Sequence, residues 1–420
     1  MNTYNDKFMV VGGRELNGVT TVQTAKNAVL PILAGCVLCD KPIEIKKVPD
    51  ILDVRNMFRI LGGLGIKVNY INQNCYVDAG DITSITLNQE LCKTLRSSIF
   101  LLGPMLARMR KAVISYPGGC DIGNRPIDLH LNGLEKLGVK ITQQHSLIYC
   151  DATNMKSGTV QLDFPSVGAT ENLMMASVFL KGTTKLINVA REPEIVDLQN
   201  FLNSMGARVA GAGSAEITID GVDSLHSTQY TPIGDRIVAG TLMLATAITG
   251  GNVELKNANF ENNQSLIAKL SSVGCQIDIK NDIIHITSRG RLPSIDLIDT
   301  QVYPGFPTDM QAQMMALQTI SNGVSIMCEN VFENRYKHVK ELTKMGANII
   351  LRDRVAVIKG VAELTGAPVD ATDLRAGAGL VLAGLKAKGY TTINNVHFID
   401  RGYENFENKL KELGADIKRV

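Results

Sequence analysis

The sequence predicts an α/β protein of two domains, each built from three copies of one helix–strand–helix–strands unit of about 70 residues whose first helix is buried. Three observations carry this expectation. A phrase of leucine, two residues, an apolar residue and glycine, then a short strand, recurs as LGGLGIKV, LEKLGVKI, LNSMGARV, LSSVGCQI, LTKMGANI and LKELGADI. Its glycines, Gly65, Gly138, Gly206, Gly274, Gly346 and Gly414, stand 73, 68, 68, 72 and 68 residues apart, close to one-sixth of the 420-residue chain. Each copy also opens on a segment that is apolar nearly all round, and the last copy carries one strand after its glycine where the others carry two or three.

The opening segments are NAVLPILAGCVL, SSIFLLGPMLAR, ENLMMASVFL, IVAGTLMLATAI, MQAQMMALQTI and LRAGAGLVLAGL. None has a continuous polar face, so each predicts a helix inside the protein. A β-rich stretch such as TTKLINV or GNVELKN follows, and then an amphipathic helix ending at the LG phrase, as in EIVDLQNFLNSMG, which belongs on the surface. Past the glycine, strands joined by polar turns complete the copy, as in ARVAGAGSAEITIDG. The sixth copy needs strands from elsewhere, and the strand-like DKFMVVGGRELNGVTTV ahead of the first helix can supply them. Grouping by threes gives one continuous domain of residues 23–233 and one discontinuous domain of residues 1–22 and 234–420.

With 45% hydrophobic and 20% charged residues the chain can fill two cores, which excludes disorder as its main state. The 43 Lys and Arg against 41 Asp and Glu leave a net charge of +2, and with no Trp and only 5% aromatics there is neither a polyanion field nor a base-stacking platform. Nucleic acid is therefore not expected as a partner, and a small molecule is. Residues 1–11 lack the apolar region and cleavage site of a signal peptide, and the longest apolar runs, such as residues 28–39, fall short of the roughly 20 needed to cross a bilayer. The expectation is a cytoplasmic monomer without membrane contact, its eight scattered cysteines reduced. Cys36 and Cys39 have CxxC spacing but sit in an apolar helical run without a second pair, which reads as core packing rather than zinc. The six histidines show no ligand spacing either, so no metal and no cofactor are expected.

Chemistry concentrates where the buried helices begin: TAKN (24–27), TLRS (94–97), ATEN (169–172), GDRI (234–237), PTDM (307–310) and ATDLR (371–375). Thr and Asp are ordinary caps there. Lys26, Arg96, Arg236 and Arg375 are not, because a cation in a first turn opposes the helix macrodipole. Cations in equivalent places point either to an anion bound nearby or to pairing with a neighbouring carboxylate or with solvent. Between the second buried helix and its surface helix lies PGGCDIGNRPIDLH, residues 117–130, which sets Cys120 between Gly119 and Asp121 and close in sequence to Arg125. In that polar, glycine-rich setting the cysteine reads either as a packing residue or as a reactive thiol. GxSxG, HExxH and Walker A patterns are absent from the sequence, so the common hydrolase, zinc-protease and P-loop readings have no support.

The ordered blocks TAKNAVLPIL, KTLRSSIFLLGPMLAR, PGGCDIGNRPIDLH, SVGAT, AREPEIVD, FPTDMQAQ, VFENRY, ATDLRAGAGLVLAG and HFIDRGYENFENKLKELGA run through almost the whole chain. Together they resemble the enolpyruvyl transferases of bacteria, in the branch that acts on UDP-N-acetylglucosamine. The resemblance implies two inside-out α/β barrel domains with buried helices aimed at a cleft. It also implies transfer of the enolpyruvyl group of phosphoenolpyruvate to the 3′-hydroxyl of UDP-N-acetylglucosamine with release of phosphate, by addition and then elimination through a tetrahedral ketal. That is the first committed step of peptidoglycan precursor synthesis, with consequences for cell wall, cell shape and division.

Residue by residue, the resemblance implies that Cys120 donates the proton to the methylene carbon and is the site attacked by fosfomycin, and that Asp309 handles the sugar hydroxyl proton. Lys26, Asn27, Arg125 and Arg401 match the phosphoenolpyruvate contacts, and Asp373 and Arg375 match supporting residues of the cleft. Arg96, Arg125, Pro126, Ile127, Asp128, Leu129, Ser166, Val167, Gly168, Asp309 and Val331 match contacts to the nucleotide sugar. Two departures stand out. Phe164 and Pro165 occupy a place where some members carry a basic residue for the diphosphate, and Gly377 and Gly379 replace small serine or alanine residues, which is expected to loosen that helix. Alternatives from other classes are the sister transferase acting on shikimate 3-phosphate, a non-catalytic paralogue that binds nucleotide sugars, and a structural repeat scaffold. The PGGCDIGNRP lid argues against the first, the joint presence of Cys120, Asp309 and Arg401 against the second, and the cations at helix entrances against the third.

Overall fold

The six apolar segments fold as helices α1 (Lys26–Gly35), α2 (Leu102–Met109), α3 (Val167–Ser177), α4 (Arg236–Thr249), α5 (Gln311–Ile320) and α6 (Leu374–Lys386). The computed structural model describes residues 6–118, 123 and 126–420, so Cys120 and Arg125 lie outside the described residues. Outside the 119–125 segment, the described residues form one unit of residues 6–23 and 234–420 and another of residues 24–118 and 126–233. Each unit has its own hydrophobic core.

Lack of a polar face puts these helices inside. Every residue of α4 is buried, and its threonines satisfy their hydroxyls within the helix, Thr241 donating to the Ile237 carbonyl at 2.8 Å and Thr246 to that of Leu242 at 3.0 Å. The second segment differs from expectation: residues Arg96–Leu101 form a 3₁₀ turn and α2 starts only at Leu102. Pro104 accounts for this, since its ring would meet the carbonyl of residue 100 if the α-helix ran further back. Helices α4, α5 and α6 pack pairwise. The glycines of RAGAGL do not loosen α6, which is continuous. A Cβ on Gly379 would stand 2.8 Å from the Ala312 carbonyl oxygen of α5 and one on Gly377 would meet Ile399 at 2.7 Å, so these positions allow close packing instead.

Among the described residues the strands form five four-stranded sheets and one three-stranded sheet. The amphipathic helices, such as Pro193–Ser204, end at the LG phrase, and all six of its glycines have φ between +89° and +102°. That left-handed conformation favours glycine at the residue after a helix, which is why the phrase recurs. Both N-terminal strands, β1 (Phe8–Val11) and β2 (Leu16–Thr21), join sheets of the unit containing residues 234–420. The further strands needed below are β3 (Leu297–Asp299), β4 (Val324–Cys328), β5 (Asn348–Arg352), β6 (Val355–Lys359), β7 (Tyr390–Asn394) and β8 (Asp416–Arg419). Strand β2 runs parallel to Gly251–Lys256, and β1 lies antiparallel between β7 and β8, with Phe8 opposite both Ile393 and Arg419.

Candidate functional site

In the unit that holds α4 to α6, the helix entrances converge on one carboxylate. Asp309 sits in the 3₁₀ turn Thr308–Met310 that leads into α5. Its Oδ1 accepts from Arg335 Nη2 at 2.7 Å, and its Oδ2 accepts from Arg375 Nη2 at 2.9 Å and Nε at 3.1 Å. The two guanidiniums are 3% and 4% exposed while Asp309 is 27% exposed, so the cations are buried behind a carboxylate that still reaches solvent. Burial opposes the charge of Arg375, but Asp309, together with Tyr403 and Asp235, outweighs it and drives the guanidinium pKa up. Arg375 stands over the Tyr403 ring at 5.5 Å, and the Tyr403 hydroxyl is bonded to Thr241 at 2.9 Å and to Gln313 at 3.2 Å. Gln313 also donates to the Asp309 carbonyl at 3.0 Å, so the turn that carries the carboxylate is held from α4, α5 and the 403 loop.

Asp373 caps α6, its Oδ1 accepting from the amides of Arg375 and Ala376 at 2.9 and 3.0 Å. Val331 donates its amide to the buried Glu329 carboxylate at 2.9 Å, whose other oxygen accepts from Thr308. This ties the 329–332 loop to the Asp309 turn. Arg401 ends the 3₁₀ turn Val396–Arg401, and Gln23 fixes the following residues by donating to the Gly402 carbonyl at 3.0 Å and accepting from the Glu404 amide at 2.8 Å. Beneath this group His338 is fully buried; burial lowers its pKa to about 4 although Asp373 pulls the other way, so it is neutral.

In the other unit Lys26 opens α1 and pairs with the buried Asp53 at 3.1 Å, with Asn27 next to it in the same turn. Arg96 opens the 3₁₀ turn before α2 and donates to the Pro117 carbonyl at 3.2 Å. Ser166 caps α3, and Gly168 lies against Phe100 and His130, where a Cβ would approach the imidazole to 3.0 Å. Asp128 and Leu129 begin the helix Asp128–Lys136, preceded by exposed Pro126 and buried Ile127. Asn172 links these pieces by donating to the Ile99 carbonyl and His130 Nδ1, each at 2.8 Å, while its side-chain oxygen accepts from the Gly103 amide at 2.7 Å. Burial, with repulsion from Arg96, lowers His130 to about 3 and keeps it neutral, so Nδ1 serves as the acceptor.

The first-turn cations thus divide. Lys26 and Arg375 have carboxylate partners inside their own units, Arg236 lies over the Tyr303 ring at 5.5 Å, and Arg96 meets a backbone carbonyl. Residues that the sequence reading did not single out are Asp53, His130, Asn172, Gln313, Arg335 and Tyr403. Arg335 was signalled only by its place in VFENRY and Asn172 only by ATEN.

Residues 10–410 match the family model of EPSP synthase (3-phosphoshikimate 1-carboxyvinyltransferase). A protein named UDP-N-acetylglucosamine 1-carboxyvinyltransferase 2 from Caldanaerobacter subterraneus subsp. tengcongensis is 49% identical over 414 residues, 99% of each chain. One of the same name from Carboxydothermus hydrogenoformans is 49% identical over 417 residues, again 99% of each chain. Among solved structures, the enolpyruvyl transferase NikO from Streptomyces tendae matches with a TM-score of 0.89 at 24% identity, covering 99% of both chains, a likeness of fold.

Proposed function

The chain belongs to the EPSP synthase family of carboxyvinyltransferases, and from that membership we propose that it transfers the enolpyruvyl group of phosphoenolpyruvate to the 3′-hydroxyl of UDP-N-acetylglucosamine and releases phosphate. The observation that carries the choice of acceptor is 49% identity along 99% of the chain to a relative named for that nucleotide sugar. The product feeds peptidoglycan synthesis in the cytoplasm and so bears on cell shape and division. Among the described residues no helix is long and apolar enough to cross a membrane, in keeping with two water-borne anionic substrates.

In the addition step the sugar oxygen bonds to the central carbon of phosphoenolpyruvate, the methylene carbon gains a proton, and the hydroxyl loses one. Asp309 takes the hydroxyl proton; Arg335 and Arg375 fix its orientation. Cys120 delivers the proton to the methylene carbon. Elimination then removes a proton from that carbon and expels phosphate. Lys26, Asn27, Arg125 and Arg401 receive the phosphate and carboxylate of phosphoenolpyruvate, where clustered cations stabilise the departing phosphate more than water does. Arg96, Arg125, Pro126, Ile127, Asp128, Leu129, Ser166, Val167, Gly168 and Val331 contact the nucleotide sugar, and Asp373 supports Arg375 through its amide.

Incubation with phosphoenolpyruvate and UDP-N-acetylglucosamine, followed by phosphate measurement and mass spectrometry of the sugar, tests this directly. Phosphate release with shikimate 3-phosphate alone would overturn it in favour of the sister activity. A second test uses fosfomycin, which should label Cys120. Burial pushes Cys75 and Cys150 up to about 12 and Cys275 to about 11, and it also raises Cys36, Cys39, Cys92 and Cys328, so these are poor thiolate nucleophiles. UDP-N-acetylglucosamine should speed the labelling, and Cys120→Asp should abolish it while keeping some turnover. A main adduct at another cysteine would remove Cys120 from the mechanism.

A further inference from the structure

The six sheets are copies of one unit, so the outward side chains across their middles can be compared position by position. Five of these rows contain polar groups: Gln229–Glu44–Tyr76–Asn69, Val113–Tyr149–Thr142, Thr159–Lys185–Thr218–Ala210, Val19–Glu254–His285–Asp278 and Pro368–Thr392–Met9–Lys418. The sheet ordered β3-β4-β6-β5 differs, because its row is Leu297–Ile326–Val357–Ile350, aliphatic on every strand. Leu297 is 50%, Ile326 41% and Ile350 59% exposed, and Val324 beside them is 49% exposed. The alternate residues Ile298, Met327, Ala356 and Ile358 fill the core, so the outward row is not needed to hold the sheet in place. A contiguous apolar face on water marks an interaction surface.

We propose that this face pairs with the same face of a second copy of the chain, where the sequence alone gave a monomer. The next row outward runs Asp299–Cys328–Val355–Arg352, placing a carboxylate on edge strand β3 and a guanidinium on edge strand β5. A two-fold axis lying between the faces and along the strands sets β3 of one copy over β5 of the other. Leu297 then faces Ile350 of the second copy, Ile326 faces Val357, and Asp299 faces Arg352, twice over. Stacked sheets cross at about 30° and about 10 Å apart, a spacing these aliphatic side chains fill. The opposite axis, across the strands, brings β3 over β3 and sets Asp299 opposite no cation of edge strand β5 in the second copy.

Size sets the strength. Four strands about 4.8 Å apart, three of them five residues long and β3 three, at about 3.3 Å per residue cover roughly 300 Å², well under the roughly 800 Å² per partner of a stable complex. The dimer is therefore transient.

Sedimentation equilibrium of the full chain from about 1 μM to about 1 mM should show the mass rising toward a dimer. Ile326→Lys should hold it at the monomer, whereas Thr218→Lys, in the corresponding row of another sheet, should change nothing. Asp299→Arg and Arg352→Asp should each weaken assembly about tenfold, and the two together should restore it. Restoration ties the loss in the single variants to the lost charge pairs. A monomer at every concentration would overturn the proposal and leave the face to another occupant. So would a dimer indifferent to Ile326→Lys, or a double reversal that assembles no better than either single one.

Discussion

The helix entrances of the two units handle buried charge in opposite ways. In the unit of α4 to α6, Asp309 answers two buried guanidiniums, so the charged groups are held in place by each other before any ligand arrives. In the unit of α1 to α3, burial is met by neutrality instead. His130 is kept uncharged, and Glu171, fully buried in α3 with neither carboxyl oxygen hydrogen-bonded, has its pKa raised well above normal by burial and then by Glu194 and Glu192. One unit thus offers a fixed field, suited to the stage at which charge moves, and the other stores groups whose charge state depends on pH. Lys26 with Asp53 is the exception in the second unit and follows the habit of the first, and the neutral His338 is the exception in the first.

Removing the charge of Asp309 attacks the contrast at its strongest point. Asp309→Asn should keep the fold and substrate binding and lose at least about 100-fold in turnover, because an amide cannot take the hydroxyl proton. Single-turnover kinetics beside a binding titration would separate the two, and a folded variant with normal turnover would reduce Asp309 to an anchor for Arg335 and Arg375. Arg401→Ala should come next, weakening phosphoenolpyruvate by roughly 10- to 100-fold with little change for the nucleotide sugar, as expected for a lost charge-assisted bond. Equal losses in calorimetry would assign Arg401 to holding the loop that Gln23 grips.

The smallest effect tests the neutral unit. Because Glu171 binds its proton more tightly folded than unfolded, its contribution to stability is fully present below the unfolded carboxyl value near 4.3 and is lost as pH rises toward its raised folded value. The loss amounts to about 1.4 kcal/mol for each pH unit in that window. Glu171→Gln, neutral at every pH, should match the parent in urea unfolding at pH 4 and exceed it increasingly toward pH 8. Parallel curves would mean that Glu171 is ionised in the fold and paired. His130 has the opposite sign: its stabilising neutrality is present above about 6.5 and is lost as pH falls toward 3.

Much of the architecture was legible because its signals are local. The LG phrase names a backbone conformation that glycine best adopts, and the six segments without a polar face could only be interior helices. Of the candidate site, the charged residues that open buried helices were legible, and the fold gives Lys26, Asp309 and Arg375 each an opposite charge. What stayed hidden are partners that only the closed fold brings together. Arg335 lies 26 residues from Asp309, Arg375 lies 66, and Gln23 lies 379 from the carbonyl it grips. The aliphatic row on β3, β4, β6 and β5 was hidden for the same reason, since a row across a sheet exists only once the register is set.

Strand β1, lying between β7 and β8, ties the order of synthesis to the order of folding. A ribosome adding about 5–20 residues per second needs on the order of 20–80 s to travel the roughly 380 residues from Phe8 to the strands that flank it. During that interval the middle unit can fold as it emerges and β2 can pair with Gly251–Lys256, while β1 and the residues beside it trail as an unpartnered strand-forming tail. Holding that tail from premature pairing is a task for charged neighbours such as Lys7, or for whatever greets the nascent chain, and newborn molecules stalled late in translation should be far more open to proteases at their front than in their middle.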